Sequence, residues 1–152
     1  MRHRIHLELG QATASLGSPI VRAARTALEH EDAPEGRLAV VLADEDTVRE
    51  LNRRYAGIDE ATDVLSFPDG SRDPSDGLTY FGDILIALPL AERQALEGGI
   101  SLTEELQVLV VHGVLHLLGH DHADPKGKRQ MWAAQEACLK SLDVSPKAWK
   151  TL

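Results

Sequence analysis

The chain has 152 residues, 43% of them apolar and 26% charged, and a formal net charge of −8. That length suits one domain with a real core, and the balance excludes a disordered or fibrous chain. The acidity excludes indiscriminate nucleic-acid binding, which needs a basic surface, and no apolar run approaches the roughly 20 residues of a membrane span.

The alternation in Ile5-His-Leu-Glu-Leu9 predicts a strand with one exposed face. Ser18 as cap and Pro19 in the first turn open a helix to about His30. After a loop over Glu31 to Gly36, Arg37 to Ala43 reads as a mostly buried strand. Asp44 or Asp46 then caps a helix whose apolar positions Val48, Leu51 and Tyr55 recur at helical spacing, which makes Tyr55 a core residue rather than a base-stacking surface. Asp63 to Phe67 is a short strand stopped by Pro68, Asp69 to Gly77 is a polar loop, and Gly82 to Leu88 is again a strand. Pro89 opens a helix to about Glu97. Ser101 and Glu104 form a capping box for a helix running to about Leu118, apolar nearly all round and therefore central and buried. Past Asp124 and Pro125 a last amphipathic helix covers about Lys128 to Leu142. Strands interleave with helices, but the third and fourth strands have only a loop between them. The expected fold is α+β, with a small mixed sheet of about four strands packed by about five helices, in a single domain over residues 1–152. The N-terminus has no apolar stretch of the secretory kind, and the single Cys138, expected to be packed, permits neither an internal disulfide nor a thiolate cluster. Both features fit a reducing cytoplasm.

The end of the buried helix carries His112-Gly-Val-Leu-His116-Leu-Leu-Gly119-His-Asp-His122. Residues four apart share a helix face, so His112 and His116 point the same way. A straight helix cannot add a third ligand to that pair. Gly119 tolerates the left-handed conformation that ends helices, which lets the chain double back and bring in His122. His120, directly after the turn glycine, has less room to reverse and is expected at the mouth of the site, although it is the alternative third ligand. Three imidazoles with no fourth protein ligand are the pattern of a catalytic zinc, since structural zinc is normally closed by four ligands. One zinc ion per chain is therefore expected. Zinc held this way makes hydroxide available near neutral pH, which supports hydrolysis of an ester, amide or phosphodiester.

The histidine spacing is similar to that of metzincin peptidases, whose general base is a glutamate directly after the first histidine. Gly113 occupies that position here and cannot accept a proton, which counts against peptidase chemistry. The segment as a whole, at His112, Gly113, Leu115, His116, Leu117, Gly119, Asp121 and His122, resembles the signature of the bacterial YbeY-type endoribonucleases, or rRNA maturation factors. A second block agrees: Leu51-Asn52, Tyr55, Asp59, Thr62-Asp-Val-Leu-Ser-Phe-Pro68 and Gly82-Asp-Ile84 look like the family's central motifs, in order. The resemblance implies a zinc-dependent single-strand endoribonuclease acting in 16S rRNA maturation and ribosome quality control. Its implied partners are ribosomal RNA, the small-subunit pre-ribosome and a ribosomal protein or assembly GTPase, with no membrane. The family pattern has an arginine directly after its tyrosine, where this chain has Ala56. Two other functions stay open: a non-catalytic ribosome-assembly factor with a zinc-stabilised fold, and a zinc hydrolase of another substrate.

Further site residues follow from chemistry. Asp121 is either a general base or a turn former. Asp63 and Asp83 are either caps and turn formers or partners that fix a histidine tautomer. Ser66 either satisfies backbone or contacts phosphate. Arg53 and Arg54, with Arg49 at helical spacing, form either a solvated face or an RNA groove beside the zinc that replaces the arginine missing at Ala56. Lys126, Lys128 and Arg129 form a second basic cluster.

Overall fold

The computed structural model describes residues 2–149, with only the backbone at positions 11 and 12. Strand β1 (His3–Glu8) runs parallel to β2 (Gly36–Ala43), His3 opposite Gly36 and Glu8 opposite Val41, and helix α1 (Gly17–His30) makes the crossover that parallel strands require. Helix α2 (Glu45–Ala56) follows, then a hairpin of β3 (Val64–Arg72) and β4 (Thr79–Ala87). Strand β4 lies parallel to β2, which leaves β3 antiparallel at the edge in the order β1-β2-β4-β3. Helices α3 (Leu88–Gly98), α4 (Leu102–Leu117) and α5 (Pro125–Ser141) complete the α+β arrangement expected. Side-chain pattern follows strand position. β4, inside the sheet, buries Ile84 and Ile86 completely, whereas edge strand β3 is half-buried at its start and exposed from Pro68 on.

Helix α4 organises the core. Its start is fixed by the capping box: Glu104 N–H donates to Ser101 Oγ at 3.1 Å, and the Glu104 carboxylate accepts from Ser101 N–H at 3.5 Å. Leu106, Leu109, Val110, Val111, Val114 and Leu115 are all at most 2% exposed, packed among α1, α3, α5 and the sheet. Truncating such a residue to alanine typically costs about 2–5 kcal/mol, so the helix is a rigid base for whatever it carries. Gly113 sets how closely it approaches the sheet. A Cβ there would lie 2.9 Å from Ile84 Cγ2, closer than real Cβ atoms come, so only glycine permits this separation.

Three expectations are corrected. Helix α1 starts at Gly17, and Ser18 does not cap it: a 3-10 turn over Gln11–Leu16 runs directly into the helix, so Leu16 already has helical dihedrals and no side chain caps the start. Pro68 does not stop β3. It sits opposite Gly82, where the register slips before Ser71 pairs with Tyr80. A proline's missing N–H is tolerated at an irregularity on an edge strand. Tyr55 is not in the core but 66% exposed, and the inner side of α2 is carried by Val48 and Asn52. Elsewhere β1 and β4 begin earlier than their alternation suggests, at His3 and Thr79, because pairing with neighbouring backbone rather than side-chain pattern fixes a strand's end.

Candidate metal centre

The i, i+4 spacing on α4 places His112 and His116 side by side, with their Nε2 atoms 3.1 Å apart and ring centroids at 4.6 Å. The helix then ends as the glycine required. Gly119 has φ +98°, its N–H bonds to the His116 carbonyl, and His120 N–H bonds to the Leu115 carbonyl, each at 3.0 Å. These two bonds are the pair of a Schellman turn. The reversed chain carries His122 over the pair, its ring 5.2 Å from His116 and 5.8 Å from His112. Ligand atoms of all three lie within 4.8 Å of one another, a group that can hold a metal ion, and among the described residues no fourth ligand joins them.

Each helical imidazole is aimed by its outer nitrogen. His116 Nδ1 donates to the backbone carbonyl of His120 at 3.0 Å, so the turn that delivers the third histidine also orients the second. His112 Nδ1 donates to Oε1 of Gln135, on α5, at 3.1 Å. Both bonds put the proton on Nδ1 and leave the Nε2 lone pair facing inward, as a metal ligand needs. Burial pushes His112 down to about 4, assisted by His116 and His122 and opposed by the Gln135 bond and the charge of Asp63. Burial also lowers His116. Both rings are therefore neutral, and binding-competent, at neutral pH.

The three histidines form one wall of a cleft of about 390 Å³, and the start of β3 forms the other, with Thr62, Asp63, Leu65, Ser66 and Pro68. Asp63 thus sits in the cleft, while its carbonyl accepts from Ala87 N–H at the end of the hairpin. Ser66 Oγ donates to the Gly113 carbonyl at 3.4 Å, tying β3 to α4 beneath the ligands. The remaining sequence candidates lie elsewhere. Asp83 accepts a hydrogen bond from the Tyr80 hydroxyl and does not line the cleft. His120 turns away from the cleft mouth and pairs with Glu31 at the end of α1. Asp121 closes a turn by accepting from Ala123 N–H at 3.1 Å and faces a neighbouring depression with His120. Arg53 and Arg54 do not line the cleft and reach Glu50 at 2.6 and 3.8 Å, and Arg49 bonds Asp59. Ala56 is exposed at the end of α2.

Sequence reasoning missed Gln135 and Glu31. Gln135 had a visible signal: it interrupts the otherwise apolar face Met131, Ala134, Cys138, Leu139 and is 1% exposed. A glutamine on a buried stripe needs a partner, and the partner is a ligand. Glu31 had none, since a carboxylate just after a helix is ordinarily solvated.

Comparison with known proteins identifies the family. The family model described as Endoribonuclease YbeY matches residues 7–143. Proteins named Endoribonuclease YbeY are similar over most of their length: 40% identity with that of Moorella thermoacetica (88% of this chain, 94% of the relative), 39% with that of Acetivibrio thermocellus (81% and 84%), and 34% with that of Brevibacillus brevis (93% and 96%). A solution structure from Thermotoga maritima superposes with a TM-score of 0.62 at 28% identity, covering 92% of this chain and 88% of that one. A buried helix with two histidines, a glycine turn with the third, and a family model that matches from β1 to the end of α5 lead to one conclusion: the chain belongs to the YbeY endoribonuclease family, metal-dependent hydrolases of phosphodiester bonds.

Proposed function

We propose that this chain is a zinc-dependent endoribonuclease that cuts single-stranded RNA, acting in 16S rRNA maturation and ribosome quality control. In this reading residues 1–152 work as one domain in the cytoplasm on the small-subunit pre-ribosome, with a ribosomal protein or assembly GTPase as further partners. The observation that carries the proposal is the convergence of three imidazoles whose helical pair is already fixed in the Nδ1-protonated tautomer. Zinc bound tetrahedrally at about 2.0–2.1 Å sets its ligand nitrogens about 3.4 Å apart, close to the 3.1 Å between His112 and His116 Nε2. Three nitrogen ligands and no thiolate also suit a catalytic rather than a structural ion.

His112, His116 and His122 would hold the ion, which supplies a Lewis acid and activates water near neutral pH. This chain's own groups do the rest. Asp63 is the carboxylate among the residues lining the cleft and its charge acts on His112, so we assign it the proton-accepting role ahead of Asp121, whose charge acts on His116 but which lies outside the cleft with one oxygen engaged in its turn. Ser66 holds the β3 wall against α4. Lys126, Lys128 and Arg129 are exposed on the first turns of α5, directly after the metal loop, and offer positive charge to a phosphate backbone despite the acidic whole.

Incubating the purified protein with a single-stranded RNA and its duplex, with and without chelator, tests the proposal. Cleavage confined to the single strand, abolished by chelator and by His116→Ala, is expected. Cleavage that survives chelation, or that treats duplex and single strand alike, would overturn it. Metal analysis of the protein as isolated decides zinc against other divalent ions.

A further inference from the structure

Tyr55 is the one aromatic side chain among the described residues that is exposed. Phe81 is buried, Tyr80 is bonded to Asp83, and Phe67, Trp132 and Trp149 are partly covered. Its exposure is not that of a loose end. Its ring meets Phe67 edge-on, with centroids 5.5 Å apart and planes at 69°. The chain beyond it is pinned: Gly57 ends α2 with φ +73°, Asn52 Nδ2 donates to the Glu60 carbonyl at 3.0 Å, and Arg49 grips Asp59 through two bonds at 2.8 and 3.2 Å. A large ring held by a second ring, on a fixed loop, with Ile58 50% exposed beside it in sequence, is a surface built to be covered.

Its place in the fold says by what. Phe67 sits on edge strand β3 between Ser66 and Pro68, both of which line the histidine cleft. Residues on both sides of Phe67 line the cleft, and β3 is the sheet's edge strand, so the aromatic pair lies next to the cleft along one unpaired strand edge. An extended polymer crossing that edge reaches both. Arg53 and Arg54 share the same turn of α2. Their exposed pairings with Glu50 are of the weak surface kind that a phosphate can displace. We propose that the Tyr55–Phe67 pair is a stacking platform for one unpaired base of the RNA strand whose reacting phosphate lies in the histidine cleft. This rests on the nuclease function proposed above and adds to it the device that selects single strands. A base inside a duplex is stacked on its neighbours and cannot lie on Tyr55, whereas any unpaired base can, because each offers a π-face. With one exposed aromatic the platform sets register and strand selectivity rather than supplying most of the affinity.

The test is a binding cycle with the metal-loaded full chain, a short single-stranded RNA made non-cleavable by a modified linkage, and a series of the same RNA carrying one abasic nucleotide at successive positions. Tyr55→Ala should weaken binding to the intact RNA about five- to hundredfold, the range of one base–aromatic stack. Tyr55→Phe and Tyr55→Trp should bind like the parent. At one abasic position the difference between parent and Tyr55→Ala should vanish, which a merely structural role for Tyr55 would not produce. A 2-aminopurine placed there should be quenched by the parent and not by Tyr55→Ala. Equal binding by parent and Tyr55→Ala would overturn the platform and turn the patch over to a protein partner. So would an equal loss at every abasic position. A parent chain that neither binds nor cleaves single-stranded RNA would instead refute the nuclease reading itself.

Discussion

Gln135 does for His112 what the His120 carbonyl does for His116: it accepts the Nδ1 proton and turns Nε2 inward. The two acceptors differ in how they are held. The carbonyl is fixed by the turn, whereas the amide depends on α5 packing against α4, so the metal site depends on an element that supplies no ligand. Gln135→Ala should therefore weaken metal binding roughly ten- to a hundredfold, as removal of such a partner typically does, read by competition with a coloured chelator. Gln135→Glu keeps an acceptor at the same reach and should restore most of it; equal weakening in both variants would show that packing, not the hydrogen bond, matters. Asp63 and Asp121 separate in the same way. Asp63→Asn should lower cleavage strongly with metal content unchanged, while Asp121→Asn, which retains a side-chain acceptor for the Ala123 turn, should alter both little. The reverse pattern would return the proton-accepting role to Asp121. Cys138, on the same face of α5 as Gln135, is 1% exposed, and burial, followed by the charge of Glu31, pushes its thiol up to about 12. It should not react with iodoacetamide in the native protein at neutral pH and should react fully in denaturant.

At the scale of elements, α4 and its terminal turn set the site through two glycines with opposite physical roles. Gly113 is needed for space: any side chain there drives into Ile84, which is fully buried and cannot retreat. Gly119 is needed for conformation: a Cβ there would meet nothing within 4 Å, but φ +98° is strained for any L-residue. Gly113→Ala should thus cost about 1–3 kcal/mol in chemical denaturation with modest effect on metal affinity. Gly119→Val should lose metal affinity first, because both His122 and the His120 carbonyl lie beyond the strained residue. Equal effects of the two substitutions on metal and stability would contradict this division. The contrast also shows what the sequence makes legible. The His112–His116–Gly119–His122 arrangement could be read because each feature is local: helical spacing and one glycine's freedom determine it. The α+β class followed from the order of strands and helices, and the buried α4 from its unbroken apolar surface. Contacts between elements distant in sequence were not readable. Nothing local ties Gln135 to His112, Glu31 to His120 or Phe67 to Tyr55, and Pro68 looked like a strand end only because its edge position was unknown. Tyr55 fitted a helical apolar stripe, but α2 packs only through its first turns and Asn52, so its last apolar position is left outside.

For the molecule as a whole the problem is a net charge of −8 on a protein that handles a polyanion. The structure separates its two basic clusters. Arg49, Arg53 and Arg54 are matched by Asp59 and Glu50 on the surface, whereas no ion pair is seen for Lys126, Lys128 or Arg129 among the described residues. These three also stand on the first turns of α5, where the carboxylate at the helix end, the N-cap Asp124, is engaged with Gly127 N–H. The helix dipole is positive there, so Lys126, in the first turn, is unfavourable by roughly 0.3–1 kcal/mol, while Lys128 and Arg129 lie past its reach. Three cations without an ion-pair partner among the described residues, next to the metal loop, are better explained by a ligand than by folding. Replacing Lys126, Lys128 and Arg129 with glutamine should weaken RNA binding while leaving the melting temperature of the free protein unchanged or slightly higher. The log–log salt dependence of binding should flatten by about 0.7 for each single-strand phosphate that is no longer neutralised. The same change at Arg53 and Arg54 releases Glu50 as an unpaired anion and should weaken RNA binding without stabilising the free protein. Metal content should be unchanged in both variants, since none of these side chains meets a ligand histidine. If the α5 variant keeps the parent's affinity and salt slope, the cluster is not functional, and RNA must reach the cleft along the α2 side alone.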